Sequence, residues 1–113
     1  MSADVQEPVA QLLEILAAAG GAVGIGIDDF DLRHDAIAIR PAGIVVELTE
    51  PRDGMRRWRI GYFYEVASLG GGEPTPRRET LRTDPAADLI GVAKAALVAA
   101  AEKMIDRAID TRS

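Results

Sequence analysis

The chain has 113 residues, of which 48% are hydrophobic, so it is long enough to form one domain with its own core. It contains no cysteine, which excludes a disulfide framework and thiolate catalysis, and its single histidine leaves too few ligands for a zinc or dinuclear site. The net charge of −5 is unevenly distributed, since residues 1–50 carry −7, residues 51–83 carry +3 and residues 84–113 carry −1.

No stretch has the pattern of a signal peptide or a transmembrane helix. The N-terminal residues lack a basic segment, and Glu14 interrupts their apolar run. The longest strictly apolar run, residues 95–101, falls far short of the ~20 residues that cross a bilayer. We therefore predict a soluble cytoplasmic protein. Its eleven arginines against two lysines are typical of a bacterial genome rich in G and C.

The chain opens with a predicted helix. Its start lies at Asp4, which with Glu7 resembles a capping box, or at Pro8, which suits a first helical position. The helix ends at the Gly20-Gly21 pair. An isolated helix of this length is unstable in water, so it must pack its apolar stripe on another element. The stripe consists of Val5, Val9, Leu12, Leu13 and Leu16.

The following segment combines glycines and acids. Residues 23–27 alternate apolar residues with glycine, which predicts a short strand. The next residues do not fit a calcium loop, because the fifth and sixth positions counted from Asp29 are Arg33 and His34. We predict a solvated acidic turn with His34 exposed at its tip, and no metal site. The acids of this turn are Asp28, Asp29, Asp31 and Asp35.

Residues 44–66 form the centre of the predicted fold. Two runs with strand periodicity flank Pro51 and the Asp53-Gly54 pair, which tolerates the positive φ of a tight hairpin turn. A shorter strand at residues 36–40 precedes them. The second arm of the hairpin is long, so we predict a bulge near Gly61.

The alternation in this hairpin assigns its side chains to two faces. Trp58, Tyr62 and Tyr64 share the core-facing side and are expected to anchor the core. The other face is predicted to be open, and its mixture of charged and apolar residues is one that a second chain could cover. It bears Val45, Glu47, Thr49, Arg57, Arg59 and Phe63.

A Gly- and Pro-rich loop at residues 69–76 leads to a predicted edge strand at residues 77–83. The last element is a long helix, with Thr83 or Asp84 as its N-cap and Pro85 in its first turn. This helix is apolar on two sides. One side is its core stripe, and the other contains Gly91, Ala95 and Ala99. Either the first helix or a second copy of the chain must cover the second side.

The predicted fold class is α+β, a single domain over residues 1–113. An antiparallel sheet of about four or five strands carries the N-terminal helix and the long C-terminal helix on one face.

Three functions are compatible with this sequence, and none requires a cofactor. The absence of a nucleophile with an adjacent base favours a non-catalytic interaction module. Such a module would form a homodimer or bind another protein through Val45, Glu47, Arg57, Arg59, Phe63, Gly91, Ala95 and Ala99. The first alternative is nucleic-acid binding through Arg52, Arg56, Arg57, Arg59, Arg77 and Arg78. The second is a small-ligand pocket near Trp58, Tyr62 and Tyr64.

Overall fold

The computed structural model describes residues 3–85 and 88–112. Within these residues the chain forms two α-helices and five strands. In chain order these are α1 (Ala3–Gly20), β1 (Phe30–Leu32), β2 (Ala36–Ile39), β3 (Ile44–Leu48), β4 (Arg57–Val66), β5 (Thr75–Pro85) and α2 (Leu89–Arg112). Short 3-10 turns lie at Gly21–Val23, Ile27–Asp29 and Arg40–Ala42.

The five strands form one antiparallel sheet in the order β1-β2-β3-β4-β5. Its register places apolar residues opposite each other on the core face, with Ile39 opposite Ile44 and Val46 opposite Ile60. The helices cover this face and share one buried apolar cluster with it, so the predicted α+β arrangement is confirmed. The cluster includes Leu12, Leu16, Ile37, Ile39, Ile44, Val46, Trp58, Ile60, Val92, Ala96 and Ala100.

The helices do not cover the sheet evenly. α1 packs against α2 and over β1 and β2, and α2 packs over β3. The edge strand β5 pairs with β4 and is exposed along most of its length. The helix layer therefore ends at α2, and the helix side of β5 remains open beside it.

The turn between β3 and β4 has the predicted form. Asp53 and Gly54 both have positive φ, 54° and 75°. Arg52 and Met55 exchange two backbone hydrogen bonds across them, of 2.8 and 3.0 Å. A two-residue loop of this kind matches the twist of the flanking strands and fixes their register.

We expect Gly54→Ala to lower the free energy of unfolding by about 1 kcal/mol, because a Cβ is unfavourable in the left-handed region. No atom lies within 4 Å of the position such a Cβ would take, so steric overlap adds nothing. Urea denaturation followed by circular dichroism measures the change. Gly70→Ala is the matched control, since Gly70 has equally open surroundings and no positive φ. Equal losses from both substitutions would contradict this explanation.

The long hairpin bulges where the sequence predicts, but the extra residue lies in the other strand. Ile60 pairs with Arg82 and Gly61 pairs with Thr80, so Leu81 of β5 is the additional residue. Leu81 is half-buried and packs against the core. The bulge thus places one apolar side chain of the edge strand beside α2.

The predicted strand at residues 23–27 is wrong. Gly24 has a φ of 78°, and the backbone N–H of Ile25 donates to the carbonyl of Gly20 at 2.9 Å. This segment therefore closes the C-terminal end of α1, and the first strand begins only at Phe30.

The predicted start of the last helix is also wrong. β5 continues through Pro85, and the first residue of α2 is Leu89. The carboxylate of Asp88 accepts a hydrogen bond of 3.0 Å from the backbone N–H of Gly91, which makes Asp88 the N-cap. Asp84 instead lies in the strand, buried and bound by Arg82.

Candidate interaction surfaces

A line of six residues runs along one side of α2, in which three large apolar residues are exposed, Gly91 and Ala95 are half-buried, and Glu102 is charged. Successive members are four, three, four, three and four residues apart, which keeps them on one side of a helix. Val98, Ile105 and Ile109 are 51%, 58% and 60% exposed. We call this line the outer stripe, and its members are Gly91, Ala95, Val98, Glu102, Ile105 and Ile109.

A groove of about 430 Å³ runs between the outer stripe and the edge strand β5. Leu81 lies on its strand side, and small residues keep its helix side open. Gly91, Ala95 and Ala99, the three residues that the sequence singled out, all line this groove. The remaining lining residues are Arg82, Lys94, Val98, Glu102 and Lys103.

The first helix does not cover this groove. α1 lies beside α2 as one of the two predicted arrangements requires, but it packs over β1 and β2. The groove lies at the opposite edge of the sheet, beside β5. α1 therefore lines no part of this groove.

The strand side of the groove carries an ion pair between Arg82 and Asp84. Arg82 donates two hydrogen bonds to Asp84, of 2.8 and 2.7 Å. These bonds, and the charge of Asp84, raise the pKa of Arg82 above its ordinary value. Lys94 and Lys103 on α2 line the same groove.

The open face of the sheet brings together the residues predicted there. Glu47 lies opposite Arg59, and Val45 lies opposite Gly61. The Glu47 carboxylate accepts hydrogen bonds from Arg59 Nε at 2.7 Å and from Arg78 Nη2 at 2.8 Å. The charges on this face are thus largely paired with each other.

The apolar residues of the same face lie beside these charges. The guanidinium carbon of Arg78 lies 5.7 Å from the centre of the Phe63 ring. Phe63 and Val45 line a shallow depression of about 280 Å³, and Arg57 lines a larger one of about 490 Å³ with Asp35 and Glu47. The face is therefore polar and internally paired, with only small apolar areas.

Of the six arginines proposed for nucleic-acid binding, Arg52, Arg57 and Arg59 line one depression together with Asp35 and Glu47, and the other three do not line it. Arg59 and Arg78 bind Glu47, and Arg56 donates to the backbone carbonyl of Thr49 at 3.0 Å. Arg77 is the strand neighbour of Arg78 and so points to the opposite face of the sheet. Arg52 lies in the turn between β3 and β4, and Arg57 lies on the open face.

The three aromatic residues proposed for a ligand pocket lie in different surroundings. Trp58 is completely buried, Tyr62 is half-buried, and Tyr64 is 36% exposed. The Tyr62 and Tyr64 rings stack with centroids 5.4 Å apart, and Lys103 Nζ lies 4.3 Å from the Tyr62 centroid. Tyr64 therefore lies outside the core, contrary to prediction. Tyr62 and Tyr64 line a surface depression to which Trp58 does not contribute.

The acidic segment is mostly exposed, as predicted, but part of it is structured and Asp29 is half-buried. Asp28 and Asp29 lie in a 3-10 turn and Asp31 lies in β1. His34 is exposed between β1 and β2. Among the described residues, no three side chains of His, Cys, Asp or Glu converge as a metal site would require.

In the part that the structure describes, neither helix combines the length and the apolar composition of a membrane span.

Comparison with known protein families, with curated proteins and with solved structures finds no match. The function has to be inferred from the surfaces themselves.

Proposed function

We propose that this chain is a non-catalytic protein-interaction module that associates with itself through the outer stripe of α2 and the adjoining groove. The observation that supports this most directly is the exposure of Val98, Ile105 and Ile109 on one line of one helix. Single exposed apolar residues are common on protein surfaces. Three of them on one side of one helix, beside a groove lined by apolar and charged residues, are a candidate contact surface.

The outer stripe is a better candidate than the open face of the sheet. Covering the sheet face would remove water from the cluster formed by Glu47, Arg59 and Arg78, whose charges already bind one another. Desolvating paired charges yields little net free energy. Covering the outer stripe instead buries the side chains of Val98, Ile105 and Ile109, and burial of apolar area is the main favourable contribution to association.

The structure of the monomer also fits this proposal. α2 is held by the core through Val92, Ala96 and Ala100, so its outer side is presented on a rigid element. A surface that is ordered before binding loses less conformational entropy on association. Ala95 and Ala99 line the groove with small side chains, whereas the carboxylate of Asp88 lies over Gly91.

Light scattering after size-exclusion chromatography tests the proposal. One chain has a mass of 12.0 kDa, so a dimer has a mass of about 24 kDa. We expect the measured mass to rise towards the dimer value as the protein is concentrated from the micromolar to the millimolar range. A mass equal to that of one chain throughout this range would refute self-association.

A further inference from the structure

Two stacked tyrosines lie on the helix side of β4, where the helix layer ends. The centroids of the Tyr62 and Tyr64 rings are 5.4 Å apart, and the ring planes differ by 18°. Two cations of α2 contact Tyr62, with Lys103 Nζ 4.3 Å and the guanidinium carbon of Arg107 5.7 Å from its centroid. Cation–π contacts of this kind hold the C-terminal half of α2 on the sheet, and they account for the position of Tyr62.

Tyr64 has no comparable role in holding the fold together. Tyr62 covers one face of the Tyr64 ring, and among residues 3–85 and 88–112 no second ring and no cation contacts the other face. Tyr64 is 36% exposed, although the chain has only one tryptophan, two tyrosines and two phenylalanines with which to build a core. An aromatic ring with one free face at the surface is a platform on which a second flat ring can stack.

Arg77 lies directly opposite Tyr64 in the neighbouring strand β5. Cross-strand partners share one side of the sheet, with Cβ atoms about 5 Å apart, so the Arg77 side chain lies beside the Tyr64 ring. In the part of the chain that the structure describes, the Arg77 guanidinium forms no ion pair and no hydrogen bond. It is therefore available to an anion that lies next to the ring.

A second guanidinium reaches the same place from α2. Arg107 Nη1 donates a hydrogen bond of 2.7 Å to the carbonyl of Pro41, which fixes the Arg107 side chain over the sheet. One depression of about 520 Å³ is lined by Arg77, Arg107 and both tyrosines. Glu65 is the only acid among its lining residues, so the depression has a positive charge within a chain whose net charge is −5.

We infer that this depression binds a nucleoside monophosphate, with the base on the free face of Tyr64 and the phosphate between Arg77 and Arg107. A free ring face selects a flat aromatic group, and guanidinium groups on two sides select an anion with several oxygen atoms. A nucleotide carries both groups on one small molecule. The volume of the depression lies within the usual range for small-molecule sites. The inference does not depend on self-association of the chain.

The same observations favour a free nucleotide over a nucleic-acid strand. Proteins that bind single strands stack successive bases on several aromatic side chains along a basic groove. Here one ring, that of Tyr64, offers a free face beside the two arginines. The net charge of −5 also repels a long polyanion more strongly than it repels one phosphate. The site is therefore matched to a single base with a single phosphate group.

Nuclear magnetic resonance titration of the whole chain tests the inference. Adenosine monophosphate should shift the amide signals of Tyr64 and Arg77, with a dissociation constant of about 1 mM. Adenosine lacks the phosphate and ribose 5-phosphate lacks the base, so each should bind at least about tenfold more weakly.

Three results of this titration would overturn the inference. The first is the absence of any shift with adenosine monophosphate at about 10 mM. The second is equal binding of adenosine or of ribose 5-phosphate, because one of the two groups would then contribute nothing. The third is a single strand of about ten nucleotides that binds at least about a hundredfold more tightly than the monophosphate, which would identify a nucleic-acid site instead.

Variants test the two halves of the site separately. Tyr64→Ala should weaken binding of adenosine monophosphate at least about tenfold, whereas Tyr64→Phe keeps the ring and should stay within about threefold of the wild type. Circular dichroism verifies that both variants are folded. Unchanged affinity in Tyr64→Ala would overturn the stacking role of this ring.

Arg77→Gln should weaken binding of the monophosphate about tenfold and leave binding of adenosine unchanged, because the removed charge faces the phosphate. Arg78→Gln is the matched control. It removes the same charge from the next residue, but Arg78 lies on the open face of the sheet, where it binds Glu47. Equal losses from the two substitutions would show a general effect of net charge and would overturn the assigned phosphate position.

Discussion

Replacing Trp58 with alanine is expected to lower the free energy of unfolding by about 4 kcal/mol. Trp58 is the largest fully buried side chain of the core and lies in β4 opposite Asp84 of β5. Its removal leaves a cavity that the surrounding strands and α2 cannot close without moving. Urea denaturation followed by far-ultraviolet circular dichroism measures the loss, since the variant lacks the only tryptophan.

Tyr64→Ala is the matched control for this substitution. Tyr64 lies in the same strand and on the same side of the sheet as Trp58, but it is 36% exposed and packs mainly on Tyr62. We expect it to cost about 1 kcal/mol. Losses of similar size from the two substitutions would show that the core does not centre on Trp58.

Replacing Val98 with glutamate is expected to weaken dimerisation at least about a hundredfold. Val98 lies in the middle of the outer stripe, and two-fold symmetry introduces two carboxylates into the apolar contact. The monomer should keep its stability, because Val98 is 51% exposed and is not part of the core. Sedimentation velocity over a concentration series gives the dissociation constant, and circular dichroism verifies the fold.

The control for this variant is Ile27→Glu. Ile27 is 59% exposed, similar to Val98, but it lies in the 3-10 turn between α1 and β1. This variant should dimerise like the wild type. Equal weakening by both substitutions would indicate a general loss of stability or solubility, and would contradict a specific role for the outer stripe.

The hairpin was predictable because its signals are local. Alternation sets the two faces of β3 and β4, and the Asp53-Gly54 pair supplies the positive φ values of the turn. The strand predicted at residues 23–27 failed because alternation with glycine also fits a helix end that closes in the left-handed conformation at Gly24. The start of α2 was misplaced because Asp84 and Asp88 have the same capping chemistry, and only the length of β5 distinguishes them.

The candidate surface was predictable only in part. The sequence indicated that Gly91, Ala95 and Ala99 need a partner, but Ile105 and Ile109 were missed. Ile105 and Ile109 continue the same line of α2 at heptad spacing. A search for small residues four positions apart does not detect large residues at this spacing. Which side α1 covers depends on the packing of distant elements, so no local pattern could have shown that the groove remains open.

The position of Tyr64 illustrates a second limit of local patterns. Alternation correctly puts it on the helix side of β4, together with Trp58 and Tyr62. Burial on that side also requires a helix above the strand, and Tyr64 lies in the part of the hairpin that is exposed. The sheet face on which Tyr64 lies was therefore predictable from the sequence, whereas the burial of its side chain depended on how far the helix layer extends.

The most direct test of the central claim compares molar masses in light scattering at one concentration, chosen where the wild type is mostly dimeric. The samples are the wild type, Val98→Glu on the outer stripe, and Phe63→Glu on the open face of the sheet. The outer-stripe interface predicts about 24 kDa for the wild type and for Phe63→Glu, and 12.0 kDa for Val98→Glu. A dimeric Val98→Glu with a monomeric Phe63→Glu would contradict it and place the interface on the sheet.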